Sequence, residues 1–202
     1  MPFQPARALW NLGASLIERR LHPNKQALAG LGLLRPHVWK ARVGLMDLGV
    51  AAHMNNAAAI ANMELARWHN TGVSGMFELV VAHKWMFLAG ANMIRYRHEI
   101  PPFAAYAIHS DVIFWDDTWF FFRHRFVCPT TGKLFIEGVT RVVVKDSHRN
   151  TISLPQIAKA MGIGPLDPNP EMPETVKAYL RWDAATKRSM EGGIGSEQTK
   201  TG

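Results

Sequence analysis

Cysteine is nearly absent from this sequence, in which Cys128 stands alone. An intrachain disulfide and a four-thiolate zinc site are therefore excluded. The sequence also lacks an apolar run of the length, about 18 residues or more, that a membrane-spanning helix requires. No Gly-rich phosphate loop follows a strand, and the histidines lack the spacing of metal ligands, so we expect neither a bound cofactor nor a metal site.

Acidic residues are scarce at the N-terminal end. Residues 1–42 hold seven basic side chains against Glu18 alone, a net charge of +6, whereas the other 160 residues hold 16 basic and 15 acidic side chains. Because a nucleic-acid-binding domain more often carries its basic residues on the folded body, we do not expect the body to bind nucleic acid. A basic arm suits a targeting signal, a membrane surface or a large acidic partner.

The N-terminal arm, residues 1–37, begins with a pattern typical of a short amphipathic helix that ends before Pro23. Its apolar positions recur at helical spacing and are Leu9, Leu12, Leu16 and Ile17. The segment is rich in arginine and poor in acid, and so resembles a mitochondrial presequence. A surface helix packed on its own domain is the alternative, and peripheral membrane contact through residues 7–20 is a third interpretation.

Residues 38–146 are predicted to form one domain. A strand-like segment, Val38–Met46, precedes a long helix that should end near Gly72, and residues 74–82 suit either helix or strand. From residue 85 the pattern changes to a period of two, with an interruption near Gly90, and short turns separate three further strands. Such a series predicts an antiparallel meander and an α+β class for the domain.

The C-terminal part is predicted to contain two helices and a tail. A helical extension covers residues 147–191, with a short helix near Leu154–Met161, a Pro-rich linker and a terminal helix from Glu174 to about Met190. Residues 192–202 form a polar tail that contains almost nothing able to drive packing.

Several motifs carry a resemblance to a known family. Asp47-Leu48-Gly49 and His53-Met54-Asn55-Asn56, followed by Glu64-Leu65-Ala66-Arg67, resemble the Asp-x-Asp-x-x-x-His-x-Asn-Asn and Glu-x-Ala-Arg signature of the 4-hydroxybenzoyl-CoA thioesterase superfamily. Trp115-Asp116-Asp117 and Arg125-Phe126-Val127 make the chain most similar to the thioesterase superfamily member six group. The resemblance implies a hotdog fold, in which an antiparallel sheet wraps around a long central helix.

The resemblance also implies an activity, the hydrolysis of acyl-CoA or acyl-carrier thioesters, and a dimer. The dimer would be a homodimer or a pair with another hotdog chain. Many active relatives carry their catalytic carboxylate at the second acidic position of the motif, where this sequence has Gly49. Two other carboxylates remain as catalytic candidates. They are Asp47, at the first acidic position, and Glu64, where a second branch of the family has a glutamate on the central helix.

Three more candidates lie before the central helix. His53, Asn55 and Asn56 are implied to orient the thioester and to start the helix, whose first backbone N–H groups would stabilise an oxyanion. Each has a simpler interpretation, since Asn is also a common helix cap. The i, i+3 spacing of Glu64 and Arg67 likewise suits a structural ion pair. Ala59 occupies a position where the family usually has tyrosine, which further weakens the case for ordinary catalysis.

Two functions follow from these observations. The first is an acyl-CoA thioesterase-like hydrolase with a degenerate active site, located in mitochondria. The second is a non-catalytic hotdog accessory subunit of a large mitochondrial assembly, such as a respiratory or ribosomal complex, recruited through the basic arm. Gly49 and Ala59 favour the second function, and the intact His-x-Asn-Asn segment is compatible with both.

Overall fold

A computed structural model describes residues 4–164, 166 and 171–192 of the chain. Its helices are α1 (Gln4–Leu21), α2 (Asn56–Ser74), α3 (Met76–His83), α4 (Leu154–Ala160) and α5 (Glu174–Gly192). Its strands are β1 (His37–Arg42), β2 (Met86–Tyr96), β3 (Ala105–Trp115), β4 (Phe120–Val127), β5 (Leu134–Lys145) and β6 (Thr151–Ile152). The predicted polar tail beyond Gly192 and most of the predicted Pro-rich linker lie outside the described residues.

The strands form one antiparallel sheet in the order β1-β3-β4-β5-β2, with β6 paired to β5. The predicted meander of β3, β4 and β5 is confirmed. The register of β2 shifts between Ala89 and Ala91, which confirms the predicted interruption near Gly90. Strand β1 is shorter than predicted and ends at Arg42. The chain turns there because Leu45–Asp47 form a 3-10 turn, in which the Asp47 carboxylate accepts the Gly44 N–H.

Helix α2 is the central helix of the domain. The Asn55 side chain caps it by accepting the Ala58 N–H at 2.7 Å. The helix continues past Gly72, where the sequence predicts its end, because Gly75 is the residue with the left-handed φ of 88° that ends it. Gly72 serves a different purpose, since an added Cβ would lie 1.9 Å from the Ser15 Oγ of α1.

The core lies between α2 and the concave face of the sheet. Small residues on α2, among them the fully buried Ala58, Ala59 and Ala66, allow the sheet to approach the helix closely. A tyrosine in place of Ala59 would require this packing to rearrange. The open choice for residues 74–82 is settled, because most of that segment forms α3.

The extensions pack onto this domain. Helix α5 covers the outer face of the sheet, where Val176 and Tyr179 are buried against Phe121. Helix α1 lies along α2, with Leu12 and Ser15 buried in the contact. The interpretation of α1 as a surface helix packed on its own domain thus agrees with the structure. Within the described part of the chain, no helix is both long enough and apolar enough to cross a membrane.

Candidate active site

The loop between β1 and α2 is closed into a narrow hairpin. The Gly49 N–H donates to the His53 carbonyl at 2.9 Å, and the Asn55 N–H donates to the Asp47 carbonyl at 2.9 Å. The Met54 N–H also donates to the carbonyl of Ile100, at 3.0 Å. These bonds fix the direction in which the chain enters α2, and they bring four of the five predicted site residues into one short segment.

Asp47 is buried and fully engaged within the protein. The residue is 3% exposed, and one carboxylate oxygen lies 3.0 Å from the Arg7 guanidinium. The other oxygen accepts the Gly44 N–H at 3.1 Å. Arg7 also donates to the Asn62 side chain on α2, at 2.9 Å. A catalytic water at Asp47 would have to displace one of these partners, so the arrangement favours the structural interpretation of this carboxylate.

Gly49 stands in close contact with the residue that caps α2. An added Cβ would lie 3.0 Å from the Asn55 Cβ. An aspartate at this position would therefore require Asn55 to shift by a few tenths of an ångström. Because Asp47 is engaged and position 49 has no side chain, the loop presents no carboxylate to a substrate.

The start of α2 offers backbone donors. Within the described residues, the N–H groups of Asn56 and Ala57 have no acceptor, as is usual for the first turn of a helix. The Asn56 carbonyl accepts the Tyr96 hydroxyl at 3.1 Å. His53 is half-buried beside them, with its Nδ1 3.2 Å from the Ala51 carbonyl. Free N–H groups at the positive end of the helix dipole can stabilise an oxyanion.

A cavity of about 560 Å³ lies between α2, α3, α4 and the sheet, and we call it the α2–α3 cavity. Most of its walls are apolar. Its aromatic lining residues are Trp68, Phe77, Trp85, Phe87, Phe120 and Phe122. Its polar lining residues all come from α2 and are Glu64, Arg67, Asn70, Thr71 and Ser74. An apolar cavity of this size with a few polar groups is typical of a small-molecule site.

Among the residues that the structure describes, Glu64 is the only carboxylate that lines this cavity. It is exposed, and within the described residues it forms neither a hydrogen bond nor an ion pair. The i, i+3 ion pair with Arg67 is not formed there, because the Arg67 guanidinium is directed at the Thr140 hydroxyl of β5, 3.4 Å away. Burial lowers the pKa of Arg67, an effect that the charge of Glu64 opposes. Glu64 is thus separated from the other four predicted site residues and is free to act on a ligand.

Comparison with protein families decides the classification. The family model described as the thioesterase-like superfamily matches residues 43–180, well over half of the chain. The chain belongs to the thioesterase-like superfamily. The predicted family resemblance is therefore confirmed, and the match extends beyond the predicted domain into α5.

Relatives in this superfamily are similar over much of the chain. Protein THEM6 of Drosophila melanogaster is 28% identical over 132 residues, which are 63% of this chain and 63% of the fly protein. Protein THEM6 of Danio rerio is 27% identical over 173 residues, which are 83% of this chain and 81% of the fish protein.

Solved structures confirm the hotdog fold. YbaW, a probable thioesterase from Escherichia coli, superposes with a TM-score of 0.57 at 19% identity, over 64% of this chain and 98% of YbaW. The BH1999 gentisyl-coenzyme A thioesterase gives a TM-score of 0.53 at 16% identity, over 61% of this chain and 99% of its own. At such identities the likeness establishes the fold alone.

Sequence reasoning missed a row of buried polar side chains beneath α2 in this superfamily member. His37, Ser110 and His124 stand opposite one another on β1, β3 and β4. The Ser110 hydroxyl lies 2.8 Å from a ring nitrogen of His124, and His37 lies 3.0 Å from His69 of α2. The sequence does not show which histidines face inward, because His124 lies between Arg123 and Arg125 and His109 lies next to Ser110.

Burial decides the ionisation of this row. It lowers the pKa of His37 to about 3, with a further contribution from His69. It also lowers the pKa of His124 well below the ordinary value. Both rings are therefore neutral near pH 7, and the row connects α2 to the sheet without buried charge. This places it among the structural features of the fold.

Proposed function

We propose that the chain is an acyl-thioester hydrolase in which Glu64 supplies the carboxylate. The observation that carries this proposal is the position of Glu64, a carboxylate without a protein partner in the described structure, on the wall of an apolar 560 Å³ cavity. The acyl group of an acyl-CoA or acyl-carrier thioester would occupy the cavity, because apolar walls stabilise apolar groups by removing them from water.

The chemistry requires a base and an oxyanion site. Glu64 would accept a proton from water while the water oxygen adds to the thioester carbonyl. The carbonyl electrons move to oxygen, where N–H groups at the start of α2 stabilise the negative charge. When the intermediate collapses, the C–S bond breaks, the thiolate leaves and takes the proton from Glu64, and the free carboxylic acid remains.

These two groups do not serve the same carbonyl within one chain. Eight residues of α2 separate Asn56 from Glu64, a rise of about 12 Å along the helix axis. A bound carbonyl accepts hydrogen bonds at about 3 Å, so it cannot meet both groups of a single helix. The proposed site therefore combines Glu64 of one chain with the α2 start of another, which requires a dimer.

Strand β2 offers the surface for such a dimer. It lies at the end of the sheet, where it pairs with β5 alone in the described structure, and it runs for 11 residues. Its exposed side chains include Met86, Phe87, Leu88 and Tyr96. A long apolar edge strand is a template for pairing with another strand. We propose a homodimer through β2, and pairing with a different hotdog chain remains the second arrangement.

Hydrolysis of an acyl-CoA panel by purified protein tests the function. Glu64→Gln should lower kcat by about a hundredfold or more, the usual contribution of a general base. Glu191→Gln is the matched control, because Glu191 is also an exposed glutamate on a helix but lies outside the cavity. Equal activity of the two variants would contradict the role of Glu64.

Mixed dimers test the sharing of the site. Asn56→Pro removes one N–H at the first helical position, where proline is tolerated. Chains with Glu64→Gln and chains with Asn56→Pro should be inactive separately. Mixed and refolded together, they should recover about a quarter of wild-type activity, because half of the dimers contain one intact site. Absence of recovery would place both groups in one chain.

A non-catalytic accessory subunit of a large mitochondrial assembly is the second candidate. Two observations support it. Position 49, where many active relatives have the catalytic carboxylate, is a glycine, and the carboxylate of Asp47 is paired with Arg7. The Arg-rich, acid-poor start of the chain supports a mitochondrial location. Folded protein that neither hydrolyses nor binds acyl-CoAs, and that migrates with a heavier complex from mitochondria, would favour this candidate over the hydrolase.

A further inference from the structure

Helix α1 packs against the domain through Ala8 and Leu12 and through most of its polar side chains. Its Asn11 side chain accepts the Trp39 indole N–H at 2.9 Å, and its Arg19 donates to the Val73 carbonyl at 3.2 Å. Glu18 lies 3.3 Å from the His69 ring, and Arg7 pairs with Asp47. Three of the four charged side chains of α1 thus contact the domain, although Glu18 stays about half exposed, and Arg20 is exposed.

The opposite side of α1 is apolar and faces outward. Leu9, Trp10, Ile17 and Leu21 are between 61% and 77% exposed. The rest of this outward arc consists of small residues and of Arg20, and the half-exposed Glu18 lies beside it. A surface helix normally buries its apolar residues, so four large apolar side chains directed outward from α1 are unusual.

The exposed apolar surface continues onto the loop beside α1. Leu45 and Met46 are 72% and 67% exposed, and the Asp47–Arg7 ion pair holds their turn against the start of the helix. We call the combined surface the α1 face, which consists of Leu9, Trp10, Ile17, Leu21, Leu45 and Met46. Large exposed apolar surfaces on a folded domain mark sites of interaction.

Positive charge flanks the α1 face at both ends. Arg20 and Lys25 are exposed near the C-terminal end of α1. Arg42 is exposed at the other end, where it borders the same shallow depression as Trp10. Lys40 is exposed two residues before Arg42, on the same strand. Arg20, Lys25, Lys40 and Arg42 thus outnumber Glu18, the one acid of residues 1–42, which lies 3.3 Å from the His69 ring.

We propose that the α1 face docks on an anionic lipid surface, with α1 lying in the plane of the interface. Apolar side chains would enter the boundary between headgroups and acyl chains, and the flanking cations would meet the lipid phosphates. Trp10 suits the interfacial region, where tryptophan is enriched. Dimerisation through β2 leaves this surface uncovered, since α1 lies beside β1, at the opposite end of the sheet order.

The position of the face also gives docking a consequence for the candidate site. Leu45 and Met46 immediately precede the loop that leads into α2, so docking would bring the start of α2 close to the lipid. Acyl chains of acyl-CoA partition into the same layer. The docking proposal does not rest on hydrolysis, because vesicle binding is measured without any thioester.

Vesicle co-sedimentation of the full chain tests the proposal. We expect binding to vesicles of phosphatidylcholine with phosphatidylserine, and at least about tenfold weaker binding to phosphatidylcholine alone, since each cation near an anionic surface contributes about fivefold. Trp10→Ser with Ile17→Ser should reduce binding by about tenfold or more. The matched control is Val81→Ser with Met190→Ser, two exposed apolar residues on other helices.

Charge is tested separately. Arg20→Gln with Lys25→Gln should weaken binding and reduce its dependence on salt, whereas Lys159→Gln with Arg188→Gln should not. All of these residues are exposed, so each variant should keep the wild-type melting temperature. The proposal would be overturned if the wild type bound neither kind of vesicle. It would also be overturned if Trp10→Ser with Ile17→Ser and the control Val81→Ser with Met190→Ser lost binding equally. Self-association that Trp10→Ser with Ile17→Ser abolishes, without vesicle binding, would overturn it in favour of a contact between copies.

Discussion

Helix α2 has two polar borders, and they differ in how their charges are used. Towards α1, Asp47 pairs with Arg7, and Glu18 lies 3.3 Å from the His69 ring. Towards the α2–α3 cavity, Glu64 has no partner within the described residues, and Arg67 makes a single contact of 3.4 Å with Thr140. The buried Asn70 also leaves its side-chain oxygen without a hydrogen bond there.

This difference separates groups that maintain the fold from groups that are available to a ligand. A polar group that is removed from water without a partner lowers stability, so a protein retains such groups where they contact a ligand. Substitutions on the cavity side should therefore reduce function and leave stability nearly unchanged. Substitutions on the α1 side should reduce stability and leave function nearly unchanged.

Acid titration should give the largest effect and should act on the structural side of α2. The unfolded chain binds a proton at His37 below about pH 6.5, whereas the folded chain does so only near pH 3 because burial lowers that pKa. The contribution of His37 to stability is then complete above about pH 6.5 and falls by about 1.4 kcal/mol per pH unit as the pH decreases towards 3, and the buried His124 adds to this slope. Urea unfolding at a series of pH values measures this slope.

Substitution of single histidines shows which residue causes the pH dependence of unfolding. His37 faces His69 of α2, which in turn faces Glu18, and His124 of the sheet faces Arg67. His37→Asn should remove about one proton from the pH dependence of unfolding. The exposed His148→Gln should leave the slope unchanged. A slope that persists in full in His37→Asn would show that the buried row does not titrate as inferred.

Removal of Asp47 should be the next largest effect. Asp47→Ala leaves the Arg7 guanidinium without its carboxylate, and we expect the free energy of unfolding to fall by about 3 kcal/mol. Glu64→Ala, on the cavity side, should change it by less than about 0.5 kcal/mol. Chemical denaturation of both variants checks the contrast. Similar losses in the two variants would remove the distinction between the two borders of α2.

Filling the cavity should change specificity and leave stability nearly unaltered. Val80 lines the α2–α3 cavity, and its neighbour Val81 faces outward. Val80→Trp should lower kcat/KM for long acyl-CoAs by about fourfold for each methylene that no longer enters the cavity. Short acyl-CoAs should be hydrolysed as by the wild type, and Val81→Trp should behave as the wild type throughout. A uniform loss across chain lengths in Val80→Trp would argue against acyl binding in this cavity.

The sequence predicts the fold and the family better than it predicts the site. Alternation in β3, β4 and β5 and the capping Asn55 depend on neighbours in the chain, so these elements follow from local pattern. The engagement of Asp47 depends on Arg7, forty residues away, and the cavity at Glu64 is built by α3, α4 and the sheet. The sequence also does not predict that the apolar side of α1 faces outward, because periodicity identifies an apolar stripe without showing what covers it.

Restoring the family carboxylate should give the smallest effect and the sharpest test of the comparison. Gly49→Asp places a side chain against Asn55, where a Cβ would lie 3.0 Å from the capping residue. We expect stability to fall by about 1 kcal/mol, the usual cost of disturbing an N-cap, and Gly49→Ala should show the same loss. Activity decides the functional question. If Glu64 is the catalytic base, Gly49→Asp does not restore hydrolysis to Glu64→Gln, because a carboxylate placed against Asn55 does not take the position of Glu64 on the cavity wall. Recovery in that double variant would instead show that the loop before α2 still contains a working site that lacks only its carboxylate.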